Sequence, residues 1–251
     1  MSDRPRTSPE KSRPSVFWPA AAIVIPLASL LAKIEIEGSE HLPLEGPFIL
    51  APNHYSEFDP VITAMATWRM GRAPRFMAKE SLFRVPVLGS LLRATGMVPV
   101  ARAATGPGAQ RTLDEAAALV KLGRGVIVYP EGSLTRDPDL WPMRGKTGAA
   151  RLAAVGGLPV IPMATWGVQQ ILPRYGKLRL WPLRRKVRVL FGPPVDLSAY
   201  QGTSPATLAA ATDEVMAAIS SLLGQLRGET PPAKRWNPQD HGQRETGRLD
   251  S

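Results

Sequence analysis

Residues 47–65, PFILAPNHYSEFDPVITAM, read as a strand, a loop and the start of a helix. PFILA at 47–51 is an apolar run of the length a buried strand needs, and Pro52 stops it because proline has no N–H to give to a ladder. Asp59 and Pro60 then open a helix. Proline is tolerated at the first helical position, where an N–H has no intrahelical partner, and Val61, Ile62, Ala64 and Met65 supply apolar residues beyond it. The polar loop between them therefore sits at the carboxyl end of a strand, where open α/β sheets bind their ligands.

Working outward, the same alternation recurs. Strands are predicted at 34–37, 75–78, 97–100, 125–129, 159–164 and 186–191. Helices are predicted through 82–92, over 110–122 with Leu113, Ala116, Ala117 and Val120 on one face, from Lys146 to the Gly156-Gly157 stop, and over 205–226. No internal repeat appears. The pattern predicts an α/β fold: one domain over residues 34–226, with a largely parallel central sheet flanked by helices.

The two ends have a different composition. Residues 1–14 mix Arg4, Arg6, Lys11 and Arg13 with Ser, Thr and Pro, and residues 227–251 are rich in Pro, Gly, Gln, Arg and Glu; both are expected to be disordered tails, with too little apolar surface to offset ordering entropy. Residues 15–33 form an apolar membrane-associating segment. Its uncharged stretch, 16–32, is 17 residues long, short of the roughly 20 that a helical bilayer span requires. Pro19 and Pro26 also oppose a straight helix. An interfacial or partly inserted helix, a piece of core and a cleaved signal peptide all fit this stretch, and its two prolines suit a shallow helical hairpin.

The chain has no cysteine, which removes disulfides, thiolate catalysis and cysteine-ligated zinc. Its three histidines, at 41, 54 and 241, show no metal-ligand spacing, so no metal site is expected. A net charge of +10 favours anionic partners: phospholipid surfaces, phosphorylated substrates or nucleic acid.

Two loops carry candidate chemistry. In the first, His54 and Asp59 are five residues apart; they would diverge on one continuous helix, but a loop-to-helix junction lets the carboxylate fold back onto the imidazole. A histidine held in this way by one nitrogen presents the other as a base. The plainer alternative is that Asp59 only caps the helix. In the second, residues 130–137 (PEGSLTRD), a glycine- and hydroxyl-rich turn with an arginine suits an anionic phosphate. Arg102, and Arg144 with Lys146 before the next helix, add positive charge at the same sheet edge, and Lys79 ends another strand. Gly145-Lys146-Thr147 lacks the leading glycine of a nucleotide phosphate loop, and Ser56 lacks the elbow of a serine nucleophile.

Asn-His-x-Ser-x-x-Asp at 53–59, Gly-Met-Val-Pro-Val-Ala-Arg at 96–102, Tyr-Pro-Glu-Gly-Ser at 129–133 and Leu-Pro-Val-Ile-Pro at 158–162 resemble, in order, the four blocks of the glycerolipid acyltransferases, above all the 1-acylglycerol-3-phosphate acyltransferases. The resemblance covers residues 34–200. It implies transfer of an acyl group from acyl-CoA or acyl carrier protein, used as co-substrate without a further cofactor, to lysophosphatidic acid, giving phosphatidic acid for phospholipid biosynthesis. It implies His54 as base and Asp59 as its orienter, with Arg102, Glu131, Gly132 and Ser133 at the acceptor. One departure stands out: where the family reads Glu-Gly-Thr-Arg, Ser133, Leu134 and Thr135 separate Gly132 from Arg136. Either the loop bulges so that Arg136 still reaches the phosphate, or Arg144 or Lys146 takes its place. The partners implied are acyl-CoA, a lysophospholipid and an anionic membrane at the cytoplasmic face of the cell membrane.

Other acceptors, such as glycerol 3-phosphate, another lysophospholipid or a glycolipid, remain open. So does a basic membrane- or nucleic-acid-binding protein without catalysis. Nucleic acid is not expected, because the aromatics are not interleaved with the bases.

Overall fold

The computed structural model describes residues 15–100, 117–245 and 247, with Ser8, Lys11, Gln110 and Asp114; Lys79 and Val100 are described by backbone alone. The strands are β1 (Ala32–Glu37), β2 (Phe48–Pro52), β3 (Met77–Lys79), β4 (Val98–Val100), β5 (Gly125–Ile127), β6 (Val160–Trp166) and β7 (Arg185–Phe191). The helices are α1 (Phe17–Leu31), α2 (Asp59–Arg69), α3 (Leu88–Ala94), α4 (Gly148–Gly156) and α5 (Pro205–Arg227). Of the helix predicted over 110–122, residues 111–113, 115 and 116 lie outside the described residues, and 117–121 are helical.

Five strands form one sheet in the order β1-β7-β6-β2-β5. Every pairing in it is parallel except β6 with β7. At the β5 edge, Ile127 N–H donates to Arg75 O (2.6 Å) and Phe76 bridges Ile127, which brings in the parallel pair β3 and β4. The sheet is therefore curled and largely parallel, as the strand-helix alternation predicts.

All five residues of β2 are buried, so side chains of opposite parity feed two cores. Phe48 and Leu50 pack on one face with Ile62 and Ala66 of α2. Ile49 and Ala51 pack on the other with Ala149 and Leu152 of α4 and Val215, Met216 and Ile219 of α5. α5 is long and apolar enough to cross a bilayer, but half of its apolar window is buried against the sheet and α4. Its ends follow local rules. Ser204 accepts the Thr207 N–H (3.1 Å) at the start, and Gly228 closes the end at φ 70°.

Three expectations require correction. The helix predicted through 82–92 divides into a 3₁₀ turn, Glu80–Arg84, and α3, because Pro86 has no N–H to continue the ladder. Residues 16–32 do not form a hairpin: α1 is a single 15-residue helix. Pro19 lies in its first turn, where no donor is missed, and Pro26 forfeits one bond in a helix already held at one side by Phe17 and Ala28. Phe17 stacks on Trp68 of α2 at 6.2 Å.

The third correction concerns the C-terminal segment. Residues 228–245 are not a disordered tail, for they turn back across the loop that follows β5. Trp236 stacks on His241 at 3.6 Å, Pro238–His241 forms a 3₁₀ turn, and Arg144 N–H donates to Trp236 O (2.8 Å). An argument from apolar content misses this segment because polar groups hold it.

Candidate active site

The loop that carries His54 is assembled by one carboxylate. Asp59 N–H donates to Ser56 O (3.1 Å), a turn that carries the side chain of Asp59 back under the loop. There Oδ2 lies 3.0 Å from His54 Nδ1 and accepts the N–H groups of Tyr55 and Ser56, each at 2.7 Å. Asp59 is fully buried and contributes no cap to α2. The spacing of five is thus an orienting contact, not a helix cap. Burial pushes the Asp59 carboxyl upward, while the His54 ring and the two backbone donors pull it back.

His54 itself is 17% exposed at its side chain, so the imidazole meets the surface while its partner does not. Tyr129 stacks on the imidazole with centroids 4.1 Å apart, and its hydroxyl lies 3.1 Å from Thr63 Oγ1. With Nδ1 facing Asp59, Nε2 is the nitrogen left for a substrate. Asn53 ties the same loop to β6, accepting the Thr165 N–H (2.8 Å) and donating to Thr165 O (3.2 Å). Ser56 donates to Leu172 O (2.6 Å) and accepts the Phe58 N–H (3.1 Å), bonds that brace the loop.

Glu131 joins the two loops. One of its carboxylate oxygens accepts the His54 N–H (2.8 Å) and the other accepts the Met143 N–H (3.0 Å), and the residue is fully buried. Burial raises its carboxyl to about 8, against the pull of these backbone donors. Each oxygen of Glu131 thus accepts a backbone N–H, one from either loop, and the carboxylate braces the two loops together. Thr135 N–H completes the junction by donating to His54 O (2.7 Å).

Beside this junction lies a cavity of about 240 Å³ lined by Glu131, Met143, Arg144, Lys146, Pro238 and Glu245 among others. Next to Glu131, Gly132 turns the chain at φ 69°, and a Cβ there would stand 2.9 Å from Lys146 Cδ, so glycine leaves room for the lysine stem. Lys146 Nζ and Arg144 Nη1 lie 3.8 and 3.9 Å from the Glu245 carboxylate. Arg136 is buried elsewhere: its guanidinium donates to Tyr175 Oη (3.0 Å) and Gly247 O (2.6 Å).

Residues 33–166, just over half of the sequence, match the family described as Acyltransferase. The chain belongs to that family. This acyltransferase is 34% identical to a chloroplastic 1-acyl-sn-glycerol-3-phosphate acyltransferase of Brassica napus over 56% of its own length and 39% of the relative's. It thus spans about two-fifths of that plant protein. A 1-acyl-sn-glycerol-3-phosphate acyltransferase of Bacillus subtilis is 29% identical over 80% of this chain and 93% of the relative. The crystal structure of the 1-acyl-sn-glycerophosphate (LPA) acyltransferase PlsC from Thermotoga maritima superposes with a TM-score of 0.58 at 26% identity, covering 82% of this chain and 74% of that one.

In the acyltransferase, His54, Asp59, Glu131 and Gly132 converge on one junction, and Arg144 and Lys146 on the cavity beside it. Ser133 Oγ donates to Glu245 O (2.8 Å) and so holds the C-terminal segment. The Lys79 backbone ends β3 in the smaller sheet, and Arg102 lies outside the described residues. Sequence reading missed Tyr129 as the ring against His54, and Arg174, which braces the extended loop by donating to Thr135 O (2.5 Å) and Asp137 O (2.8 Å). Tyr129 opens the Tyr-Pro-Glu-Gly-Ser block, and that place in it was the available signal.

Proposed function

We propose that this acyltransferase moves a fatty acyl group from a thioester, acyl-CoA or acyl carrier protein, to the free hydroxyl of lysophosphatidic acid, giving phosphatidic acid. The observation that carries the reading is the 3.0 Å contact between His54 Nδ1 and the buried Asp59 carboxylate. It leaves Nε2 as the basic atom. In the reaction, Nε2 takes the acceptor's hydroxyl proton while the oxygen bonds to the thioester carbonyl carbon. The carbon–sulfur bond then breaks, and the departing thiolate recovers a proton from the imidazolium. A general base of this kind contributes ~10²–10⁴-fold. Bonds and protons balance with no acyl-enzyme and no further cofactor.

The acceptor's phosphate is assigned to the cavity at Arg144 and Lys146, where two cations stand beside the catalytic junction. A membrane would supply the lysophospholipid acceptor and take up the product. At 15 residues, α1 is about 22 Å long, shorter than a bilayer core of roughly 30 Å. Its outward side exposes Ile23, Leu27 and Leu30, which suits a helix lying in the interface at the cytoplasmic face of the cell membrane.

Purified protein in detergent, given labelled acyl-CoA or acyl carrier protein with lysophosphatidic acid, glycerol 3-phosphate or lysophosphatidylcholine, tests the proposal through product mass. Phosphatidic acid is the expected main product. Acylation of another acceptor in preference would overturn the substrate assignment, and no acyl transfer to any of them would overturn the activity.

A further inference from the structure

Residues 177–184, KLRLWPLR, lead into β7 and point apolar groups into solvent. Trp181 is 79% exposed and Leu180 61%, with Leu178 and Leu183 about half exposed. These are costly groups to leave in water, and the sequence alternates them with Lys177, Arg179 and Arg184. No acidic residue occurs between Leu172 and Val195. Among the described residues, Lys177, Arg179 and Arg184 form no ion pair, whereas Lys186 and Arg188 further on are paired with Glu35 and Glu37. The loop is also shaped. Arg179 N–H donates to Ile171 O (2.8 Å), and the Arg185 guanidinium bonds the carbonyls of Arg179 and Trp181.

The loop adjoins α1. Arg184 N–H donates to Leu30 O (2.8 Å), and Ala32, the residue after α1, pairs with Arg185 in the β1–β7 register. The exposed residues Ile23, Leu27 and Leu30 recur on α1 at intervals of four and three, which is one helical face. Two apolar elements more than 140 residues apart in sequence thus meet at one corner of the fold.

We propose that residues 177–184 are a second membrane-inserting element, which with α1 seats the enzyme on an anionic phospholipid bilayer. This rests on the membrane reading of α1 given above. A bilayer satisfies both halves of the loop at once: leucines and the indole enter the interface, while the three unpaired cations remain among anionic headgroups. Two insertions give a firmer and oriented attachment than one short helix.

Because the chain has no cysteine, single cysteines at position 180, position 27 and, on the opposite sheet face, exposed position 155 can each carry an environment-sensitive fluorophore. With vesicles containing phosphatidylglycerol, L180C and L27C are expected to shift to the blue, with V155C unchanged. A shift at 27 without one at 180 overturns the loop proposal and leaves the membrane reading of α1 standing; no shift at either overturns both. A shift at 180 that needs only high protein concentration overturns it in favour of a second copy of the chain. Replacing Leu178, Leu180, Trp181 and Leu183 together by serine should weaken vesicle binding at least about tenfold while transfer to a detergent-dispersed acceptor persists. Undiminished vesicle binding by that variant also overturns the proposal.

Discussion

The loop of His54 and the cavity of Lys146 share Glu131 but are built in opposite ways. In the loop, a fully buried carboxylate gathers three groups from the five residues before it, so its geometry is local and closed to water. In the cavity, half-exposed cations come together from a loop and face Glu245, a residue about a hundred positions away. On the proposed reading, chemistry falls where a rigid, short-range network fixes one proton-accepting nitrogen, and binding where solvent-screened charges can exchange one anion for another.

The widest gap between the two regions should appear with Asp59→Asn. An amide cannot accept from Nδ1–H and from two backbone N–H groups while keeping its own NH₂ satisfied, so the imidazole loses its fixed tautomer. We expect kcat to fall ~10²–10⁴-fold with acceptor KM nearly unchanged, measured on protein whose circular dichroism matches wild type. A large KM effect with normal kcat would make the loop a binding element instead.

Glu131 joins the two regions, and its removal should read as stability. Glu131→Ala leaves the His54 and Met143 N–H groups unbonded in the interior and should cost about 2–4 kcal/mol in urea unfolding. The carboxyl also makes a signed contribution to pH dependence. Its folded value is about 8, above the ordinary 4.5, so between these pH values the folded state holds a proton that the unfolded chain releases. Stability therefore falls as pH rises from about 4.5 to about 8, and Glu131→Gln should lose that component of the slope.

Lys146→Ala should act on the cavity alone, raising acceptor KM about tenfold with kcat changed little, as expected for one charge-assisted contact. The smallest effect belongs to the C-terminal segment. Its Glu245 carboxylate sits where an acceptor phosphate would meet Arg144 and Lys146, and exposed ion pairs contribute ~0–1 kcal/mol. Glu245→Gln should thus lower acceptor KM by at most about fivefold. A rise in KM would mean that Glu245 helps to hold the acceptor.

This contrast also explains what was legible in the sequence. β2, the polar loop and α2 followed from the apolar run, Pro52 and Asp59-Pro60, and the His54–Asp59 pair from its position at a strand end, because each depends on near neighbours. α4 starts at Gly148, close to the helix start expected near Lys146, and ends at Gly157 in the left-handed conformation that the Gly-Gly pair announced. Long-range polar contacts were invisible. Glu131 binds backbone 77 residues back and 12 residues ahead, and neither N–H leaves a mark in side-chain pattern. Arg72, almost wholly buried, bonds the carbonyls of Pro43, Gly46 and Gly123, and nothing local distinguishes it from a surface arginine. The C-terminal segment escaped for the same reason. Of the two arrangements open for the departure after Gly132, Arg144 and Lys146 line the cavity, while Arg136 is held under the C-terminal segment by Tyr175 and Gly247.

The most direct test is single-turnover acyl transfer by His54→Ala, with thioester and lysophosphatidic acid both saturating and the variant's fold verified. If the imidazole takes the hydroxyl proton, the rate constant for ester formation should drop ~10²–10⁴-fold while acceptor binding persists. Ester formation at near the wild-type rate would contradict that role for His54.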